Sequence, residues 1–189
     1  MLTGSHLTET ALVGVSDVDF WIVLKYENPR LELDILEDLR EASLMVEMVN
    51  KRGRILLVMK WDEENIDLSI IPEKPVGPAR MIVVQGLLMK KVVMTYIDNL
   101  DDAQKKLFKE AVLVIKIIKY LNSVEKIPGF FIELLIIYTI IKENPPTLME
   151  CYGAVLDTFF EEKTVCFSGE NSCDVCLNTM NNPRFYIKI

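Results

Sequence analysis

The stretch GSHLTETALVGVSDVDFWIVL, Gly4 to Leu24, places two carboxylates, Asp17 and Asp19, directly before an apolar run from Phe20 to Leu24. The run reads as a buried strand. Residues two apart in a strand point to the same side, so the two acids share a face. Like charges crowded at a strand start repel one another. A divalent cation between them would turn that repulsion into coordination. A third acid, Asp67, sits in NIDLSII between Ile66 and Leu68. An acid inside an apolar strand is costly unless paired or coordinated. Three such acids on neighbouring strands would make a hard oxygen site for Mg2+. Taken alone, an Asp-x-Asp pair is more often a surface or turn feature, and Asp67 an edge-strand acid facing water.

The chain has 189 residues, half of them hydrophobic, and a net charge of −7. That length and composition suit one or two folded domains with a real core. The acidic balance argues against broad nucleic-acid binding, which needs a basic surface, and no DNA partner is expected. Residues 1–15 carry no basic start or long apolar segment of the secretory type. No run of about 18 apolar residues exists, so no membrane span is expected. The richest run, Ile132–Ile141, contains Glu133 and is too short. An intracellular protein, cytoplasmic or nuclear, with reduced thiols is the expectation for its four cysteines.

Residues 2–15 read as a strand-and-turn lead-in and 19–26 as a strand. From Leu31 to about Asn50, Leu33, Leu36, Leu39, Leu44, Val46 and Val49 keep roughly helical spacing. Acidic residues at its start and Lys51-Arg52 at its end suit a helix that Gly53 terminates. Arg54–Trp61 and Ile66–Ile71 read as a strand pair around the turn Asp62–Asn65, and 72–80 as a proline-rich loop. The rest reads as mostly helical. Asp101 to Gln104 opens a helix to about Asn122, Pro128 opens another to about Glu143, and a third follows Pro145-Pro146 to about Glu162. An α+β first part (1–100) and a helical second part with a short C-terminal tail (101–189) follow from this pattern.

Gly4-Ser5, then eleven residues, then Asp17-Val18-Asp19 and an apolar strand closely resemble the nucleotidyltransferase superfamily of the DNA polymerase β type. Gly4, Ser5, Thr10, Leu12, Gly14, Ser16, Asp17 and Asp19 together resemble the oligoadenylate synthetase and cGAS-like branch. In the second part, VLVIKIIKYL (Val112–Leu121) is similar to that branch's helix with paired basic residues. IPGFFIELLIIY (Ile127–Tyr138) is similar to the helix packed behind it.

The resemblance implies a mixed twisted sheet with flanking helices, followed by a small helical domain. It implies a template-independent transfer of a nucleoside monophosphate from an NTP, ATP first, to a hydroxyl on a nucleotide or RNA acceptor. Asp17, Asp19 and Asp67 would be catalytic and would hold Mg2+ or Mn2+, probably as two ions. Gly4, Ser5, Lys116 and Lys119 would hold the triphosphate, and Ser16 would be a further nucleotide-binding residue. Phe130 stands where the family carries a base-stacking tyrosine, so a phenolic hydrogen bond is lost. Alternatives are an inactive scaffold or dimerisation protein of the same fold, and an RNA-tailing enzyme, against which the acidic charge counts. The family has a long helix before Gly-Ser and more helical domain after the third helix, so a minimal, viral or truncated member is expected.

Cys151, Cys166, Cys173 and Cys176 would be a conceivable zinc set, but their order differs from the zinc insertion of cGAS-like enzymes, and ordinary thiols are expected. His6, the sole histidine, reads as a loop residue near phosphate rather than as a base.

Overall fold

The computed structural model describes residues 2–13, 15–24, 31–42, 46–51, 54–61, 64–72, 91–122, 127–168, 174–178 and 184–188. They fall into two compact units, Met1–Gly86 and Leu87–Ile189.

The first unit holds a five-stranded mixed sheet. Its elements are β1 (Leu2–Thr3), α1 (Gly4–Leu7), β2 (Val18–Leu24), α2 (Leu31–Glu41), β3 (Val46–Lys51), β4 (Arg54–Trp61) and β5 (Glu64–Pro72). The strand order is β1-β2-β5-β4-β3. Only β2 and β5 run parallel; the other three pairings are antiparallel. Period-two alternation sorts the side chains. Ile66, Leu68 and Ile70 of β5, with Leu57 and Met59 of β4 and Val46 of β3, form a core with Ile35, Leu36 and Leu39 of α2. Asp67 and Ser69 therefore point to the opposite face.

The helix expected from Leu31 to about Asn50 is corrected here. It ends at Glu41, and Val46–Lys51 is instead a strand paired with β4, Val46 opposite Met59 and Lys51 opposite Arg54. Leu36 and Leu39 do face the core, but from Val46 the chain pairs with β4 as a strand, and its two β-branched valines favour the pleated form. Strand pairing extends into the segment expected as a turn, Asp62–Asn65, with Trp61 opposite Glu64 and Lys60 opposite Asn65. The proline-rich loop at 73–80 and Gly53 lie outside the described residues.

The second unit begins, among the described residues, with a helix at 91–98, labelled α3. Then follow α4 (Asp102–Leu121), α5 (Gly129–Glu143) and α6 (Leu148–Glu161). The expected helix starts hold closely. Asp101 accepts from the Gln104 backbone N–H at 2.8 Å, and the Gln104 side chain accepts from the Asp101 N–H at 3.1 Å, a reciprocal capping box. Pro128 precedes the first turn of α5, where a missing N–H costs nothing. Asn144 ends α5 in the left-handed conformation (φ 45°), and Thr147 caps α6.

The run Ile132–Ile141 is the middle of α5, which packs between α4 and α6 and buries this run except for Tyr138, which is partly exposed, and Ile141, which is exposed. No helix among the described residues is long and apolar enough to cross a membrane. Thr139 shows how polar atoms survive there. Its hydroxyl donates to the Leu135 carbonyl at 2.9 Å and meets Thr158 Oγ1 on α6 at 3.4 Å.

Beyond α6 the sequence reading had only a tail. The structure has a three-stranded antiparallel sheet, β6 (Thr164–Ser168), β7 (Asp174–Asn178) and β8 (Arg184–Lys188), in that order. Val165, Phe167 and Leu177 join the helical core, and Phe167 packs edge-on against Tyr96 and Tyr138. The opposite face carries Cys166 and Cys176, directly opposed in register and joined as a disulfide. The expectation of reduced thiols is corrected for these two. The spacing is that of cross-strand neighbours, which is invisible until the hairpin is known. Cys151 is buried on α6 as a free thiol, and Cys173 lies outside the described residues.

Burial pushes the Cys151 thiol up to about 11, so little thiolate exists near neutral pH. Alkylation of the native, unreduced protein at pH 8, followed by peptide mapping, should leave Cys151, Cys166 and Cys176 unmodified. Reduction before alkylation should label Cys166, which is exposed, while Cys151 stays protected until the protein is unfolded.

Candidate functional site

The parallel pairing of β2 with β5 aligns Asp19 with Asp67 as direct neighbours, between Val18 opposite Ile66 and Phe20 opposite Leu68. Residues so paired project from the same face, with strand axes about 4.8 Å apart. Both acids are partly exposed. On the flanking strands, Thr3 pairs with Asp19 and Val58 with Asp67, so this row reads Thr3, Asp19, Asp67, Val58. Asp17 lies one residue ahead of β2 and is exposed. Among the described residues no set of three His, Cys, Asp or Glu side chains forms a ready metal cage. The sheet thus brings two of the three acids side by side and leaves the third on a connecting segment next to them.

That segment is fixed by hydrogen bonds. Ser16 Oγ accepts from the Leu12 N–H at 2.9 Å, while the Ser16 N–H donates to the Leu12 carbonyl at 2.9 Å. This closed loop immediately precedes Asp17. Ser16, expected at the nucleotide, here has a positioning contact. Upstream, within the segment read as a strand-and-turn lead-in, a short helix α1 begins at Gly4 and Ser5 and packs beside β2. Its exit is tied by Thr10, whose N–H donates to the Ser5 carbonyl at 2.8 Å, and by the Thr8 and Thr10 hydroxyls, 2.8 Å apart and buried. Glu9 between them has φ 57°, the left-handed turn that lets both threonines face inward. Sequence reading missed this threonine pair; two threonines flanking one charged residue at a helix exit are its only signal. His6 lies within α1 rather than in a loop, and its buried Nε2 has no hydrogen-bond partner among the described residues.

The remaining candidates belong to the second unit. Lys116 and Lys119 lie on α4, one turn apart on one face. Lys116 Nζ donates to Glu133 Oε1 of α5 at 2.8 Å, with side chains only 11% and 6% exposed. Phe130 stands in the first turn of α5, partly buried against the helical core. Glu133 was not among the expected site residues; an acid in the apolar run IELLII, matched by a lysine in VLVIKII, was its signal.

Comparison with solved structures identifies the fold. Cid1, described as having RNA terminal uridylyl transferase activity, superposes with a TM-score of 0.57 at 13% identity, over 74% of this chain and 40% of Cid1. The polymerase core of TRAMP, an RNA surveillance complex, gives 0.56 at 15% identity, over 99% of this chain and 57% of that one. The Cid1 poly(U) polymerase with Mg and 3'-dATP gives 0.55 at 14% identity, over 92% and 50%. The chain thus has the nucleotidyltransferase fold of these polymerases and spans about half their length. No protein-family model matches the sequence, and no curated protein does.

Ser16→Ala removes the bond to the Leu12 N–H from a half-buried loop. It should lower stability by about 0.5–1.5 kcal/mol, read by chemical denaturation. An unchanged midpoint would show that the loop is held otherwise.

Proposed function

We propose that the protein is a divalent-metal-dependent, template-independent nucleotidyltransferase that moves a nucleoside monophosphate from an NTP to a hydroxyl acceptor. The observation that carries this reading is the in-register pairing of Asp19 with Asp67 on parallel neighbouring strands, with Asp17 just ahead. Two like charges side by side lower stability unless they serve something. Their oxygens are the hard donors that Mg2+ or Mn2+ prefers, so the residues fit the metal that the resemblance implies.

In this reading Asp17, Asp19 and Asp67 hold the metal, one ion or a pair. The bound metal would neutralise the triphosphate and lower the pKa of the acceptor hydroxyl. The acceptor oxygen attacks the α-phosphorus, the bond to the β-phosphate oxygen breaks, and pyrophosphate leaves. Asp67 takes the hydroxyl proton. Gly4 and Ser5 offer backbone N–H groups to the phosphates. Nothing here needs a covalent intermediate, so the protein acts by positioning and charge.

For the acceptor, two observations favour different readings. The spacing from Gly4 to Asp19 supports a nucleotide acceptor, as in the oligoadenylate synthetase and cGAS-like branch, with ATP as donor. The structural neighbours, RNA terminal transferases and a poly(U) polymerase by description, support an RNA 3' end.

Incubation with each labelled NTP, Mg2+ or Mn2+, and either no RNA or a short single-stranded RNA should separate these readings. Small oligonucleotide products without RNA support the first, and extended RNA supports the second. Asp19→Asn should abolish either product while the protein stays folded, as read by circular dichroism, because an amide is a far poorer ligand for a hard cation than a carboxylate. A wild-type protein that turns over no NTP under any condition would favour the scaffold alternative.

A further inference from the structure

We propose that Trp21 is the platform on which the acceptor stacks its terminal base, so that the acceptor carries an unpaired nucleobase at its reacting end. This rests on the nucleotidyltransferase reading of the Asp19–Asp67 row and names the substrate class of that same site.

Alternation places Trp21 on the face of β2 that carries Asp19, two residues or about 6.6 Å further along the strand. Trp21 pairs with Ser69 of β5, and Ser69 with Leu56 of β4. The row next to the acids therefore reads Trp21, Ser69, Leu56. Ser69 and Leu56 are each 3% exposed and form a closed floor, whereas Trp21 is partly exposed. Among the described strands, Trp21 is the one aromatic that alternation puts on the acid face. Phe20 and Trp61 fall on the face that packs against α2. A tryptophan beside carboxylates gains less burial than its size allows, and its remaining exposed surface suits a planar, apolar ligand.

The register says which substrate meets the ring. β1 runs antiparallel to β2, with Leu2 opposite Phe20 and Thr3 opposite Asp19. The chain then enters α1 at Gly4, so the N–H groups offered to the phosphates lie on the Val18 side of Asp19. Trp21 lies on the other side. In phosphoryl transfer the attacking and leaving oxygens stand roughly in line, on opposite sides of the phosphorus. With the pyrophosphate end at Gly4 and Ser5, the acceptor approaches from the Trp21 side. A ribose hydroxyl poised at Asp67 then has its own base over the next row. Every nucleobase has a π face, so such a platform holds a base without choosing among bases. A protein or sugar hydroxyl gains nothing from it.

The test uses the full chain carrying Trp61→Phe, so that Trp21 is the single tryptophan. Short single-stranded oligo(A) and oligo(U) are titrated against its fluorescence, with Mn2+ and a non-hydrolysable ATP analogue present. The same oligonucleotides with an abasic terminal residue serve as controls. Both intact probes should quench the emission, and the abasic ones should not. In steady-state assays Trp21→Ala should raise the acceptor KM about tenfold or more, the size of one lost base stack. Calorimetry should show its affinity for the ATP analogue unchanged. Trp21→Phe, which keeps a ring, should restore most of the acceptor binding, and Trp21→Leu, apolar but not aromatic, should not. If Trp21→Ala does not fold, the phenylalanine and leucine variants carry the same comparison.

An acceptor KM equal in Trp21→Leu and wild type would overturn the proposal. So would equal losses of donor and acceptor affinity, which would make Trp21 a packing residue of the whole site. A wild type that turns over no NTP would sink the nucleotidyltransferase reading instead. In that event base-dependent quenching would still support the platform as a nucleic-acid-binding surface, and emission blind to both intact probes would overturn it.

Discussion

The parallel pairing of β2 with β5 is the constraint on which the candidate site depends. A sheet aligns residues in fixed rows, and a slip of one position would send every side chain to the other face. Here the apolar set fixes that register. Ile66, Leu68 and Ile70 must face α2, so Asp67 must face away, and the pairing then places it beside Asp19. The geometry of two acids is therefore set by hydrophobic burial on the reverse side of the sheet.

The same division of labour recurs in the second unit. Its core is made by α3, α4, α5, α6 and apolar residues of β6 and β7, and two pairs of polar groups are closed within it. Thr139 meets Thr158, and Lys116 meets Glu133. A buried ion pair is weak evidence for stability, since apolar groups of the same shape would do as well.

The sequence made some of this legible and hid the rest for physical reasons. Helix starts were readable because capping is local: Asp101 and Gln104 are three residues apart, and Pro128 and Pro145-Pro146 punctuate the chain. The acids could be read because an Asp inside an alternating apolar strand breaks a local rule. The strand Val46–Lys51 was misread because leucines upstream gave a helical period, and its own six residues carry no clean alternation to set against it. The strands β6 to β8 are five residues each, too short for a period to emerge, and the disulfide between Cys166 and Cys176 depends on their pairing. Glu133 was seen only as an interruption of an apolar run. Its partner is 17 residues away on another helix, and no local pattern links them.

The central claim is that the Asp19–Asp67 row is a metal and nucleotide site. A crystal structure of the protein soaked with Mn2+ and a non-hydrolysable ATP analogue, with anomalous data collected at the manganese edge, addresses it directly. The account predicts an anomalous peak bonded to carboxylate oxygens of Asp19 and Asp67, with Asp17 completing the set and triphosphate oxygens bound to the same ion. A bound nucleotide with no anomalous peak at these carboxylates, or a metal held elsewhere with Asp67 turned away from Asp19, would contradict it.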